Sequence, residues 1–159
     1  MQNILELLEK DARLTPEKIS TMTGIPVEEV IKTIKKAEDD KLILRYKTVI
    51  DWAKLGKESV LALIEVKVVP QRNVGFDAIA ERIYQFPQVK SVYLSSGTYD
   101  LAVIVSGATM HEVAVFVSEK LSPLDKVQGT VTHFILKTYK EDGEIFGTKP
   151  DVDRLPIIP

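Results

Sequence analysis

The chain has 159 residues, of which 45% are hydrophobic and 28% charged, with a formal net charge of −2. It holds no cysteine, which excludes disulfides, thiol catalysis and thiolate metal sites. The near-neutral balance excludes a strongly basic nucleic-acid coat, and the length suits one domain or two small ones. No apolar run approaches the ~18 residues of a membrane span. Met1-Gln2-Asn3 leads into an amphipathic pattern and not a signal sequence, so the expectation is a cytoplasmic protein with no membrane partner. Residues 1–56 carry ten Lys/Arg against ten Asp/Glu. Any contact with nucleic acid must therefore come from a local patch, used in several copies.

In chain order, Ile4, Leu5, Leu7 and Leu8 recur at helical spacing, which predicts a short amphipathic helix over residues 2–10. Thr15-Pro16-Glu17 reads as a helix start: a hydroxyl cap, proline at the first helical position and an early carboxylate. That helix runs to about Met22 and stops at Gly24. A third helix is expected over residues 26–40, with Val27, Val30, Ile34 and Ala37 on its buried stripe. Two short helices joined through a glycine turn make a helix-turn-helix. Residues 43–50 alternate weakly as a strand, in the position of a wing. Residues 1–50 are thus read as a winged helix-turn-helix domain and 51–59, with Gly56 and no strong period, as a linker.

The pattern then changes to long β runs. Residues 60–69 read as a strand, and Phe76, Ile79, Ala80 and Ile83 mark a helix that ends before Pro87. Residues 89–94 and 98–105 read as two strands joined by a Ser95-Ser96-Gly97 turn, in which glycine supplies the positive φ of a tight hairpin. A second helix follows over 110–121, with Val113, Phe116, Val117 and Leu121 at helical spacing, and a last strand over 127–139. The order βαββαβ is the ferredoxin-like arrangement, so the fold class is α+β and residues 60–140 form the second domain. Two helices cover one face of such a sheet. Leu61, Leu63, Ala102 and Ile104 make the other face partly apolar, which points to a second subunit packed upon it. Residues 141–159 hold three prolines and two Lys/Arg against five Asp/Glu. They are expected to form an extended tail, with Leu155, Ile157 and Ile158 available to dock on a neighbour.

Two places carry candidate chemistry. The exposed face of the third helix holds Glu28, Lys32, Lys35, Lys36 and Asp39. One reading sets the lysines against phosphates and Thr33 near base edges in a major groove. The other pairs Glu28 with Lys32 and Lys35 with Asp39 along a solvated helix. The helix-turn-helix context and the following Arg45-Tyr46-Lys47 favour double-stranded DNA as the partner. In the second domain, Asp100 stands near the start of an apolar strand, where burial without a partner would cost several kcal/mol, roughly. It belongs at a strand end near donors or a ligand. Gly97 and its neighbouring amides could receive a carboxylate and Asp100 an ammonium group, which together suit a zwitterion. Thr130 and Thr132 share one face of the last strand, and β propensity explains them equally well. His111 and His133 lack partners at metal-ligand spacing, and no phosphate-cradling loop, nucleophile elbow or carboxylate dyad occurs. No catalytic residue, metal or cofactor is expected.

The Gly97-Thr98-Tyr99-Asp100 segment resembles one in the effector domain (the RAM domain) of the Lrp/AsnC family of amino-acid-responsive transcription regulators. The resemblance extends over nearly the whole chain: Ile4-Leu5-Glu6-Leu7-Leu8 is similar to the family's first helix, and residues 15–43 to its helix-turn-helix. Residues 42–51 followed by Lys54-Leu55-Gly56 resemble its wing and linker, and residues 134–139 its last strand. It implies a DNA-binding regulator responsive to an amino acid or related small molecule. Lys32, Thr33, Lys35, Lys36, Arg45 and Lys47 would face DNA. Ser95, Ser96, Gly97, Thr98, Tyr99, Asp100, Thr130 and Thr132 would face the effector. It also implies a homodimer, often built into tetramers or octamers, with effectors at subunit interfaces. Val27, Glu28 and Glu29 depart from the small hydroxyl residues with which the family begins its recognition helix; glutamates there suit the helix dipole but repel phosphates. The alternative is therefore an oligomeric amino-acid sensor that has lost specific DNA binding. Enzyme readings fit poorly. An acylphosphatase would need a phosphate cradle after Val69, and tetrapyrrole decarboxylases of this type use His and Arg that the chain scarcely offers.

Overall fold

The computed structural model describes every residue except 58, 70–74 and 148–159, so the tail residues Leu155, Ile157 and Ile158 lie outside the described residues. The chain divides into two units, Met1–Ile50 and Asp51–Pro159.

In the first unit, helices α1 (Gln2–Lys10), α2 (Pro16–Thr23) and α3 (Val27–Asp39) surround one apolar cluster. Ile4, Leu8, Ile19 and Val30 form it, with Leu7, Leu14, Ile25, Ile34 and Ile43 packed against it. The local signals act as their chemistry predicts. The Thr15 hydroxyl accepts the Lys18 N–H at 3.4 Å, Pro16 opens α2, and Gly24 ends it at φ 72°. The expected wing strand over 43–50 is not formed: residues 44–50 hold no regular secondary structure. A strand needs a neighbour for its backbone groups, and among the described residues none pairs with 44–50; Ile43 packs instead against the helical core.

The second unit realises βαββαβ, after a single 3₁₀ turn at Trp52–Leu55 in the expected linker. Its elements are β1 (Val60–Val68), α4 (Asp77–Tyr84), β2 (Val89–Leu94), β3 (Leu101–Gly107), α5 (Met110–Phe116) and β4 (Val127–Ile135). They form a four-stranded antiparallel sheet in the order β2-β3-β1-β4. The helix-covered face holds Ala62, Ile64 and Val66 in register with Val105, Val103 and Leu101, all buried. Ile79, Ile83, Val113, Phe116 and Leu121 close over them, and the Phe86 and Phe116 rings meet edge to face at 5.4 Å.

Three boundaries differ from the periodicity. The strand expected from residue 98 begins at Leu101, because residues 95–100 are used in the turn. The last strand ends at Ile135 and not 139: Ile135 is in register with Leu61, one residue from the start of β1 at Val60. The helix over 110–121 changes at Val117 into a π turn that ends at Leu121. The tail also starts with structure: β5 (Lys140–Glu141) and β6 (Glu144–Ile145) pair across Asp142 and Gly143, both at positive φ as a two-residue hairpin turn requires.

Candidate functional site

On the first unit, Lys32, Lys35 and Lys36 are exposed along α3, with Thr33 half-buried beside them. Glu28 and Asp39 share that face, yet neither forms an ion pair with these lysines among the described residues. The intrahelical pairing that competes with phosphate binding is therefore not formed, and three cations project freely. Arg45 and Lys47 are exposed on the segment that follows. Between them the Tyr46 hydroxyl donates to Glu38 Oε1 of α3 at 2.8 Å, which ties that segment back to the helix. Desolvation first, and the Glu38 carboxylate second, raise the Tyr46 phenol above its ordinary value of 10.0. A cleft of about 610 Å³ lies between α1 and this segment, bounded by Leu5, Leu8, Leu42, Ile43 and Tyr46.

On the second unit the register sets the face of each residue. The open face carries Tyr93, Ala102, Glu65 and Val131 in one row. Ser91, Ile104, Leu63 and His133 form the next, and Ser106, Leu61 and Ile135 a third. Tyr93 and Val131 are 59% and 53% exposed, so among the described residues of this unit no other element covers this partly apolar face. His133 Nε2 lies 3.2 Å from Glu65 Oε1 across this face; among the described residues neither histidine belongs to a cluster that could hold a metal ion.

Asp100 ends the turn at the edge of that face. Its N–H donates to Val66 O at 3.0 Å and its carbonyl accepts the Ser95 N–H at 2.8 Å, so the loop closes on β1. Its carboxylate Oδ2 accepts the Val68 N–H at 2.8 Å and lies 3.5 Å from Lys67 Nζ. This meets the demand for donors around a carboxylate among apolar residues. The pairing of β1 with β3 ends at Val66 and Leu101, which leaves the next β3-facing amide of β1, that of Val68, to Asp100. Ser96, Thr98 and Tyr99 lie in the turn with Gly97 at φ 143°, and their backbone amides make no hydrogen bond among the described residues. Thr130 and Thr132 stand elsewhere. They are in register with buried Val66 and Ile64, so their side chains point to the helix-covered face, away from Lys67 and Asp100. Thr130 Oγ1 is 3.3 Å from the Ser122 hydroxyl at the end of the π turn. The structure thus brings residues 95–100 together and sets the two threonines apart from them. Lys67 is the neighbour that the periodicity did not single out; its sequence signal is a lysine two residues after Glu65, near the end of β1.

The Lrp/AsnC ligand binding domain, as a family profile, matches residues 61–145 of this chain. The chain belongs to the Lrp/AsnC family. An uncharacterized HTH-type transcriptional regulator of Bacillus subtilis (strain 168), YugG, is 54% identical over 157 residues, or 98% of this chain and 95% of that protein. Among solved structures, the E. coli AsnC protein superposes with a TM-score of 0.69 at 18% identity, covering 88% of this chain and 92% of that one. A feast or famine regulatory protein of M. tuberculosis, complexed with L-methionine, gives a TM-score of 0.72 at 20% identity over 90% and 94%. These two carry the fold. The Lrp/AsnC chain described here is accordingly a helix-turn-helix transcription regulator with a ligand-binding domain, and not an enzyme. Nothing in these relatives favours the loss of DNA binding. No helix among the described residues is long and apolar enough to cross a membrane.

Proposed function

We propose that this regulator reads double-stranded DNA with α3 in the major groove and is controlled by an amino acid held at residues 95–100 of the second unit. Lys32, Lys35 and Lys36 sit against phosphates, Thr33 approaches base edges, and Arg45 and Lys47 contact the flanking backbone. Ser95, Ser96, Gly97, Thr98 and Tyr99 offer amides and hydroxyls to the ligand carboxylate, and Asp100 takes its ammonium group. Thr130 and Thr132, on the other face, are at most reached from the helix side. The protein acts in the cytoplasm as a homodimer or a larger assembly, its subunits meeting through the open sheet face. The observation that carries the reading is the row of three unpaired lysines on α3 behind a glycine turn, in a chain whose other unit is a ligand-binding domain. An amino acid as ligand is supported by the free amides beside the Asp100 carboxylate, and by the L-methionine bound to the mycobacterial relative.

The test begins by mapping where the protein sits on its own genome, then measures affinity for a mapped site with and without each common amino acid. Coupling must be reciprocal: DNA changes effector affinity by the factor by which effector changes DNA affinity. Occupancy scattered without a shared sequence, or affinity indifferent to every amino acid at millimolar concentration, overturns the respective half of the proposal.

A further inference from the structure

The exposed side of α3 carries two residues that phosphate binding leaves without a task. Glu28, in the first turn of the helix, is exposed. Among the described residues its carboxylate forms no ion pair and no hydrogen bond, although Lys32 stands one turn further on. Ile31 is the second: it is 48% exposed on a helix whose other exposed side chains are all charged. At about 100° per residue the two lie one turn apart on the same flank, away from buried Val30 and Ala37. A carboxylate here is repelled by the phosphates that the lysines attract. It accepts hydrogen bonds and donates none, so only a base that offers a donor compensates for it. In the major groove cytosine presents its N4 amino group alone. Adenine sets the N7 acceptor beside its N6 donor, while guanine and thymine present acceptors. Cytosine is therefore the base that an ionised glutamate meets with no lone pair against it. Isoleucine has no polar side-chain atom, and it matches the thymine 5-methyl group, the apolar feature of the groove. Helix stabilisation does not account for the pair. A first-turn carboxylate favourable to the helix dipole is already present in Glu29, and Ile31 adds nothing to that effect.

We infer that Glu28 and Ile31 are base-reading residues: the Glu28 carboxylate accepts an N4 amino proton of a cytosine, and the Ile31 side chain packs on the methyl group of a thymine in the same site. This rests on the proposal that α3 lies in the major groove, and it names the bases that the helix selects. The N-terminal part of a recognition helix is the part that reaches base edges, whereas phosphate contacts fix its position. The lysines hold α3 on any sequence. Glu28 weakens every sequence that fails to offer it a donor, which is selectivity gained by repulsion. Affinity and selectivity thus come from different residues of one helix face.

The experiment is selection of duplexes from a randomised library by the full-length protein, followed by titration of the selected duplex at several salt concentrations. Wild type is expected to select a motif with cytosine and thymine at fixed positions. Replacing that cytosine should cost about tenfold in affinity, within the range of one wrong base pair. Replacing the thymine by uracil removes only the methyl group and should cost about fourfold. In Glu28→Ala the cytosine preference disappears while binding to unrelated duplexes rises, and the salt slope does not flatten as it does when a phosphate contact is lost. Glu28→Gln, whose amide pairs with adenine N6 and N7, moves the preference from cytosine to adenine. Ile31→Ala makes thymine and uracil equivalent. A cytosine preference that survives in Glu28→Ala, or that is lost in Glu29→Ala instead, overturns the role of Glu28 and leaves α3 in the groove. A thymine preference unchanged in Ile31→Ala does the same for Ile31. If wild type selects no motif, α3 as a reader and this inference fall together.

Discussion

Asp100 has two jobs that different substitutions separate. Its Oδ2 satisfies the Val68 amide just past the end of the β1–β3 ladder. Asp100→Ala leaves that N–H without an acceptor and is expected to cost about 1–3 kcal/mol. Asp100→Asn keeps an acceptor oxygen and the shape, so thermal melts should show the alanine variant well below the asparagine variant, with only the charge removed in the latter. Equal melting of the two would mean that the carboxylate does not support the strand. Tyr46 gives a pH signature in the first unit. Its phenol titrates above 10.0, chiefly because the ring is desolvated and then because it donates to Glu38. A proton held more tightly in the folded state stabilises fully below the unfolded value and fades as pH rises through the folded one. Stability of the first unit should therefore fall above pH 10.0 more steeply in wild type than in Tyr46→Phe, read by circular dichroism.

Among elements, α3 is the one whose exposed face and buried face answer to different partners. Val30 and Ala37 are fully buried, while Lys32, Lys35 and Lys36 are exposed. Lys32→Ala or Lys36→Ala should leave folding untouched and weaken all DNA sequences alike. The slope of log affinity against log salt should flatten by about one for each phosphate that the variant no longer neutralises. Glu28→Ser, which removes a negative charge near the helix start, should strengthen non-specific binding in the same titrations. The end of α3 is strained: Lys41 holds φ 58° so that the Leu42 and Ile43 amides can reach the Ala37 carbonyl. Lys41→Gly relieves the Cβ clash of the left-handed conformation and should stabilise by roughly 0.5–1 kcal/mol after the extra unfolded-state entropy is counted.

At the scale of the whole molecule the unsatisfied surface is the open face of the sheet. Leu61, Leu63, Ala102 and Ile104 are half-buried by their neighbours in the sheet, and Tyr93, Val131 and Ile135 stay largely exposed. Apolar area of this kind is removed from water at about 25 cal/mol per Å², which favours pairing two such faces. Light scattering is expected to return a dimer or larger species at micromolar concentration, and a chain lacking residues 1–50 should assemble equally well. Tyr93→Lys together with Val131→Lys should drive the protein toward monomer without unfolding the buried face. A monomeric wild type would remove the sheet face as an interface.

The helices of the first unit and the βαββαβ order of the second were legible in the sequence because short-range chemistry decides them. Thr15, Pro16 and Gly24 punctuate α2 by caps and φ, and buried residues recur at the helical period in α1 and α3 and at the strand period in β1 and β3. The same holds for the two-faced apolar character of β1 and β3. Other features depend on residues distant in the chain, and only the tertiary structure decided them. Residues 44–50 have the alternation of a strand but pair with no strand among the described residues. Ile135 ends β4 where β1 starts beside it. Thr130 and Thr132 alternate correctly, yet which face they join depends on the register against β1, and that sets them beneath the helices. Asp100 invited a partner on chemical grounds, but a period of two residues says nothing of what lies across the ladder. The register placed the Val68 amide and the Lys67 ammonium there, because cross-strand neighbours are fixed by hydrogen bonding between strands and not by position along the chain.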